Sequence, residues 1–108
     1  MTQKKEQTLS KTLYALGVPR HIRGYRYLKE AVRRCKKNPD LLFEITTKLY
    51  PQIAKIFETT DKAIERDIRY AICYCWKNNQ EGVKTYFGGI GDKRPTNSNF
   101  IATLCDKI

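Results

Sequence analysis

The sequence predicts an all-α fold, about six helices in a single domain, and three observations carry that prediction. Apolar residues recur at helical spacing in several separate stretches. Sustained period-two alternation and Asn-Gly hairpin signals are absent. Helix stops and starts punctuate the chain often, as Gly or Pro next to an apolar stripe. A chain of 108 residues with 41% apolar content suits one domain with a modest core.

The elements follow in order. Leu9, Leu13 and Leu16 share a helical face, and Gly17 after them is a C-terminal stop. "GVPRHIRG" reads as a loop. A second helix from about Tyr25 places Leu28, Ala31, Val32 and Cys35 on one side and ends in "RRCKKNP". There the basic residues suit the helix dipole, and Pro39 blocks continuation. Asn38 is the expected cap of a third helix, with Pro39 in its first position and Leu41, Leu42, Ile45 and Leu49 as its stripe. Tyr50-Pro51 breaks or kinks the chain. A short helix from Pro51 then carries Ile53, Ala54, Ile56 and Phe57, and Thr59-Thr60 form a turn and cap. The long helix that follows runs to about Lys77, where "KNNQEG" ends it. "YFGGIGDKRP" reads as a loop; its glycines lack the GxGxxG spacing and a preceding strand, which excludes a dinucleotide site. Thr96 or Asn97 caps a last helix bearing Phe100, Ile101, Leu104, Cys105 and Ile108.

Composition narrows the function classes. Lys and Arg total 21 against 11 Asp and Glu, a formal net charge of +10, which favours an anionic partner. No apolar run reaches the roughly eighteen residues of a membrane span. "MTQKKEQTLS" has no apolar core of a secretion signal, so a cytoplasmic protein is expected. Cys73 and Cys75 form a C-x-C, Cys35 and Cys105 stand alone, and His21 is the one histidine. That spacing does not fit zinc, so the thiols are read as reduced and structural, with no metal or cofactor. His21 is likewise read as structural. No pair of catalytic groups appears, and an enzyme is not expected.

The long helix has two faces. At 100° per residue, Ile64, Ile68, Ala71, Ile72 and Cys75 gather as a core stripe. Lys62, Arg66, Arg69, Tyr70, Cys73 and Lys77 gather opposite, with Glu65 on a flank. Short helix, turn and long helix stand in the order of a helix-turn-helix over residues 51–77, with Ala54 as the small residue at the crossing and Glu58 where glycine is common. In that motif the second helix enters the major groove by its N-terminal half. Lys62, Glu65, Arg66 and Arg69 fall in that half. Arginine can bond a guanine edge through two donors, and glutamate can accept from cytosine N4. Lys93 and Arg94 in "DKRP" are expected near phosphate.

Four blocks, "GVPRHIRGYRYLKEAV", "LYPQIAKIFETT", "AIERDIRYAI" and "KRPTNSNFIATLCDKI", resemble the C-terminal effector domain of the stage 0 sporulation protein A family. The resemblance runs collinearly from about Leu9 to Ile108. It implies a six-helix DNA-binding domain of a sporulation response regulator, recognition of short boxes of the TGTCGAA type, and contact with an RNA polymerase sigma factor. It also implies two copies side by side on tandem boxes. Glu65, Arg66 and Arg69 match the family's recognition positions. Tyr70 stands where the family usually has histidine, and Asp67 where it usually has alanine. Nothing in the chain supplies the family's receiver domain, so either an excised effector domain or a stand-alone paralogue is expected. The leading expectation is therefore a sequence-specific transcription regulator on double-stranded DNA. The alternative is a divergent copy acting as a protein-interaction module without its own operator, which Asp67 and Tyr70 favour.

Overall fold

The structure, a computed structural model, describes residues 1–108 and contains six α-helices and no strand. α1 (Gln3–Leu16) begins where the Thr2 hydroxyl accepts from the Lys5 N–H at 3.2 Å, so the polar leader is itself helical. It stops at Gly17, whose φ of +93° lets its N–H reach Tyr14 O at 3.0 Å and the Val18 N–H reach Leu13 O at 2.9 Å. α2 (Arg23–Lys37) starts slightly before the expected Tyr25 and ends at Asn38.

The third expected helix is not an α-helix. Pro39–Phe43 form a 3-10 turn, with the Asn38 side chain accepting from the Asp40 N–H at 3.3 Å. Ile45–Leu49 form a wide π turn that runs directly into α3 (Tyr50–Ile56). The cause is Pro51. It has no N–H to give to the carbonyl four residues back, and its ring crowds that carbonyl. The ladder ahead of it opens by one residue, so the Leu49 N–H bonds Glu44 O at 3.1 Å. Leu41, Ile45 and Leu49 are still buried, as the stripe requires, while Leu42 is only partly so.

α4 (Asp61–Asn78) is capped by the Thr60 hydroxyl, which accepts from the Ala63 N–H at 3.1 Å. One residue later α5 (Gln80–Phe87) begins, within a stretch read from the sequence as helix end and loop. Its register was hidden because only Val83 of its eight residues is fully buried. Two other contacts seat it: the Phe87 ring lies 4.9 Å from that of Phe100, and Asn79 donates to Ala15 O at 3.0 Å. α6 (Asn97–Lys107) follows the loop of residues 88–96. The total of six helices thus agrees with expectation, but α5 takes the place of the segment at 39–49.

α4 is the central strut. Ile64, Ile68, Ala71, Ile72 and Cys75 are fully buried, and the helix packs against α2, α3, α5 and α6. Each such isoleucine contributes roughly 1.5–3 kcal/mol by leaving water. Apart from Tyr25, Tyr27 and Tyr50, no side chain with a polar or charged group other than a thiol is buried. No helix is long and apolar enough to cross a membrane.

Candidate nucleic-acid interface

The turn between α3 and α4 sets the angle of the candidate reading helix. The Thr59 N–H bonds Ala54 O at 3.0 Å across Glu58, which has φ +53°. This is the left-handed position where glycine is usual, and Glu58 is the one non-glycine residue with positive φ. Phe57 anchors the turn to α2, its ring 5.0 Å from that of Tyr27 in an edge contact. Ala54 is buried on α3, which packs on α4.

With its isoleucine row buried, α4 turns its other side to solvent. Lys62, Arg66, Arg69 and Tyr70 are exposed, and Glu65 is partly so. Two of the cations already hold carboxylates. Arg69 pairs with Glu65 one turn back, and Arg66 Nε lies 3.3 Å from Asp67 Oδ1. Exposed pairs of this kind are worth only about 0.3–0.5 kcal/mol, so they hold the side chains in place and release them readily. Tyr70 is 56% exposed, with its ring 6.4 Å from that of Tyr74. The structure therefore brings five of the expected residues onto one face of one helix.

Lys93 and Arg94 are exposed on a separate segment, the loop leading into α6. That loop is tied back to α5 by Lys84 Nζ to Asp92 Oδ1 at 2.7 Å, and Pro95 after Arg94 is buried. The Lys84 ammonium holds the Asp92 carboxyl below its ordinary range. Loop and reading helix meet through Asn97. Its side-chain amide donates to Glu65 O and to the Tyr50 hydroxyl, each at 3.1 Å. The first residue of α6 is thereby joined to the backbone of α4 and to the start of α3. Burial pushes the Tyr50 phenol up, so it stays a neutral partner. Sequence reasoning treated Asn97 only as an alternative cap. Thr96 is the cap, accepting from the Asn99 N–H at 3.1 Å. No spacing rule marks an asparagine that bonds a residue 32 positions away.

α2 meets the same helix from the other side. A Cβ on Gly24 would lie 2.3 Å from Asp67 O and 2.7 Å from Ala71 Cβ, so glycine is what lets the two backbones touch. His21, read as structural, is exposed in the loop before α2. All four cysteines are unbridged. Cys35, Cys75 and Cys105 are buried, and burial pushes the Cys75 thiol up to about 11. The three buried thiols fill apolar space, and the Cys75 thiol is a poor nucleophile at neutral pH.

The family model described as sporulation initiation factor Spo0A C terminal matches residues 9–108.

Proposed function

The chain belongs to the family of the Spo0A C-terminal domain, and on that premise we propose that it regulates transcription by reading specific sequences in double-stranded DNA with α4. The observation that carries this reading is the single exposed row of Lys62, Glu65, Arg66, Arg69 and Tyr70, set opposite the buried Ile64 and Ile68. In the major groove, Arg66 and Arg69 exchange their carboxylates for guanine edges and Glu65 accepts from cytosine N4. Lys62, Tyr70, Lys93 and Arg94 hold phosphates and fix the register. No catalytic step and no cofactor enters this role. Work in the cytoplasm, contact with an RNA polymerase sigma factor and side-by-side docking of two copies on tandem boxes belong to the same proposal, by analogy with the family.

Selection of bound duplexes from a random DNA pool tests it: one preferred sequence should emerge. Arg66→Ala and Arg69→Ala should each weaken binding to that sequence by about 1–3 kcal/mol with normal thermal melts. Unchanged affinity in both variants would remove α4 as the reader. A second reading, a protein-interaction module without an operator, draws on Asp67, which diverts Arg66 along the helix. Under that reading the pool yields no preferred sequence, and binding to DNA lacks a slope near −0.9 per neutralised phosphate in log affinity against log salt.

A further inference from the structure

Two of the buried thiols meet across a helix pair. Cys35 stands on α2 and Cys105 on α6, 1% and 8% exposed. Cys105 Sγ lies 3.9 Å from Val32 O. Val32 comes one turn before Cys35 on the same buried face of α2. A helical side chain leans back over the turn N-terminal to it, so the Cys35 sulfur is directed to where the Cys105 sulfur sits. Lys36, the next residue of α2, donates from Nζ to Cys105 O at 3.2 Å. The turn of residues 32–36 thus holds Cys105 both at its sulfur and at its backbone.

The two thiols share a hydrogen bond. It holds the Cys35 thiol below its ordinary value, although burial opposes the shift, and it pushes the Cys105 thiol up. One proton of the pair therefore leaves more readily than the other. A cysteine reacts as its thiolate, so the pairing favours reaction at Cys35. Cys75 is the contrast, since there burial is the main cause and the thiol moves the other way. Cys35 and Cys105 also line one cleft of about 670 Å³ between α2 and α6. Pro39, Leu42 and Phe87 supply its apolar wall, and Lys36, Asp106 and Lys107 its charged edge. A small neutral oxidant fits such a space easily.

We propose that Cys35 and Cys105 form a dithiol modification site, which a peroxide converts to a disulfide that staples α2 to α6. The Cys35 thiolate attacks one peroxide oxygen and the O–O bond breaks. A sulfenic acid forms on Cys35, and the second oxygen leaves as hydroxide, which takes up the proton that Cys35 gave away. The Cys105 sulfur then displaces the sulfenic oxygen. An S–S bond forms, and that oxygen leaves as water with the Cys105 proton. Two thiols lose two hydrogens, and one peroxide becomes two waters. The new bond closes a long loop of chain, which costs the unfolded state entropy, so the oxidised fold resists unfolding better than the reduced one. None of the residues proposed to meet DNA takes part.

The test treats the full, reduced chain at low concentration with hydrogen peroxide, then blocks free thiols and digests it. The intact monomer should lose about 2 Da, two hydrogens, and the peptide map should show Cys35 joined to Cys105. The urea midpoint should rise on oxidation and return when a dithiol reductant is added. Cys73→Ala/Cys75→Ala should oxidise as the parent does, which separates the pair from the C-x-C. Cys105→Ala should lose the bridged product. Where a variant fails to fold, the map of the parent still decides. A bridge that joins Cys73 to Cys75 overturns the inference, and so does oxygen gained without loss of hydrogen. A Cys35–Cys105 bridge that forms in urea but not in the folded chain overturns it as well. A lower urea midpoint after bridging does the same, because the fold then rejects the bond.

Discussion

Two glutamates of the turn and reading helix stand where a glutamate is costly, one for its backbone and one for its charge. Glu58 occupies left-handed backbone at φ +53°, which the Thr59-to-Ala54 bond requires, but its side chain makes no hydrogen bond there. A left-handed L-residue costs about 1–2 kcal/mol, and glycine returns part of that gain as unfolded-state entropy. Glu58→Gly should therefore raise stability by about 0.5–1 kcal/mol, read as a higher midpoint in urea at constant slope. A lower midpoint would mean that the turn depends on the Glu58 side chain. Glu65 raises a different question, since a carboxylate beside phosphates opposes binding. Its pairing with Arg69 lessens that cost in the free protein, and a cytosine N4 would offset it only at the right base pair. Glu65→Ala should hold or raise affinity for random DNA while narrowing the gap between selected and random duplexes. Equal shifts of both constants at one salt concentration would make Glu65 a general electrostatic residue. The α4 part of this site was legible in the sequence because a 3.6-residue period separates core from outside without reference to any other element. The tie from Asn97 to Glu65 O was not, because only the tertiary fold brings the start of α6 against α4.

Among the elements, α2, α3, α4 and α6 were legible from their stripes and ends, whereas of α1 only the stripe and the stop at Gly17 were, because its first turns are polar. The segment at 39–49 has the stripe, but the proline beyond it changes the hydrogen-bond ladder, and a stripe does not distinguish α from 3-10 or π geometry. α5 has only a short stripe, Val83, Tyr86 and Phe87, and no side-chain cap, and its Phe87 ring packs on α6. The side-chain hydrogen-bonded joint between α6, α3 and α4 is a single amide, and its energetics can be isolated. Asn97→Ala leaves the buried Tyr50 hydroxyl unpaired, which should cost about 1–2 kcal/mol, whereas removing both partners can be nearly neutral. Asn97→Ala should therefore be less destabilising in a Tyr50→Phe background than alone. Additive effects in that double-mutant cycle would show that Asn97 does its work through Glu65 O and not through Tyr50.

At the scale of the whole molecule, a net charge of +10 suits a DNA ligand but works against the compact state through self-repulsion. Two acidic residues cross-link elements, Asp92 from its loop to α5 and Glu6 from α1 to α2, while the other ion pairs are local. Glu6 is the clearest case: it reaches from α1 to Arg33 on α2 through two guanidinium nitrogens. The hydrogen bond from Arg33 is the main cause that holds the Glu6 carboxyl below its ordinary value of 4.5, while partial burial opposes the shift. The sign then follows. The folded state binds the Glu6 proton less readily than the unfolded chain does, so the pair stabilises the fold fully above about pH 4.5 and loses that effect as pH falls through the lower, folded value. A partly exposed, two-point pair of this kind is worth about 0.5–1 kcal/mol. Glu6→Gln should melt a few degrees below the parent between pH 5.5 and 7, since about 1 kcal/mol moves the midpoint of a domain this size by roughly 4–8 °C. The gap should close on further acidification, because the parent then loses the same charge. A gap that persists in acid would mean that Glu6 joins α1 to α2 by packing and neutral hydrogen bonding, with the ion pair contributing nothing measurable.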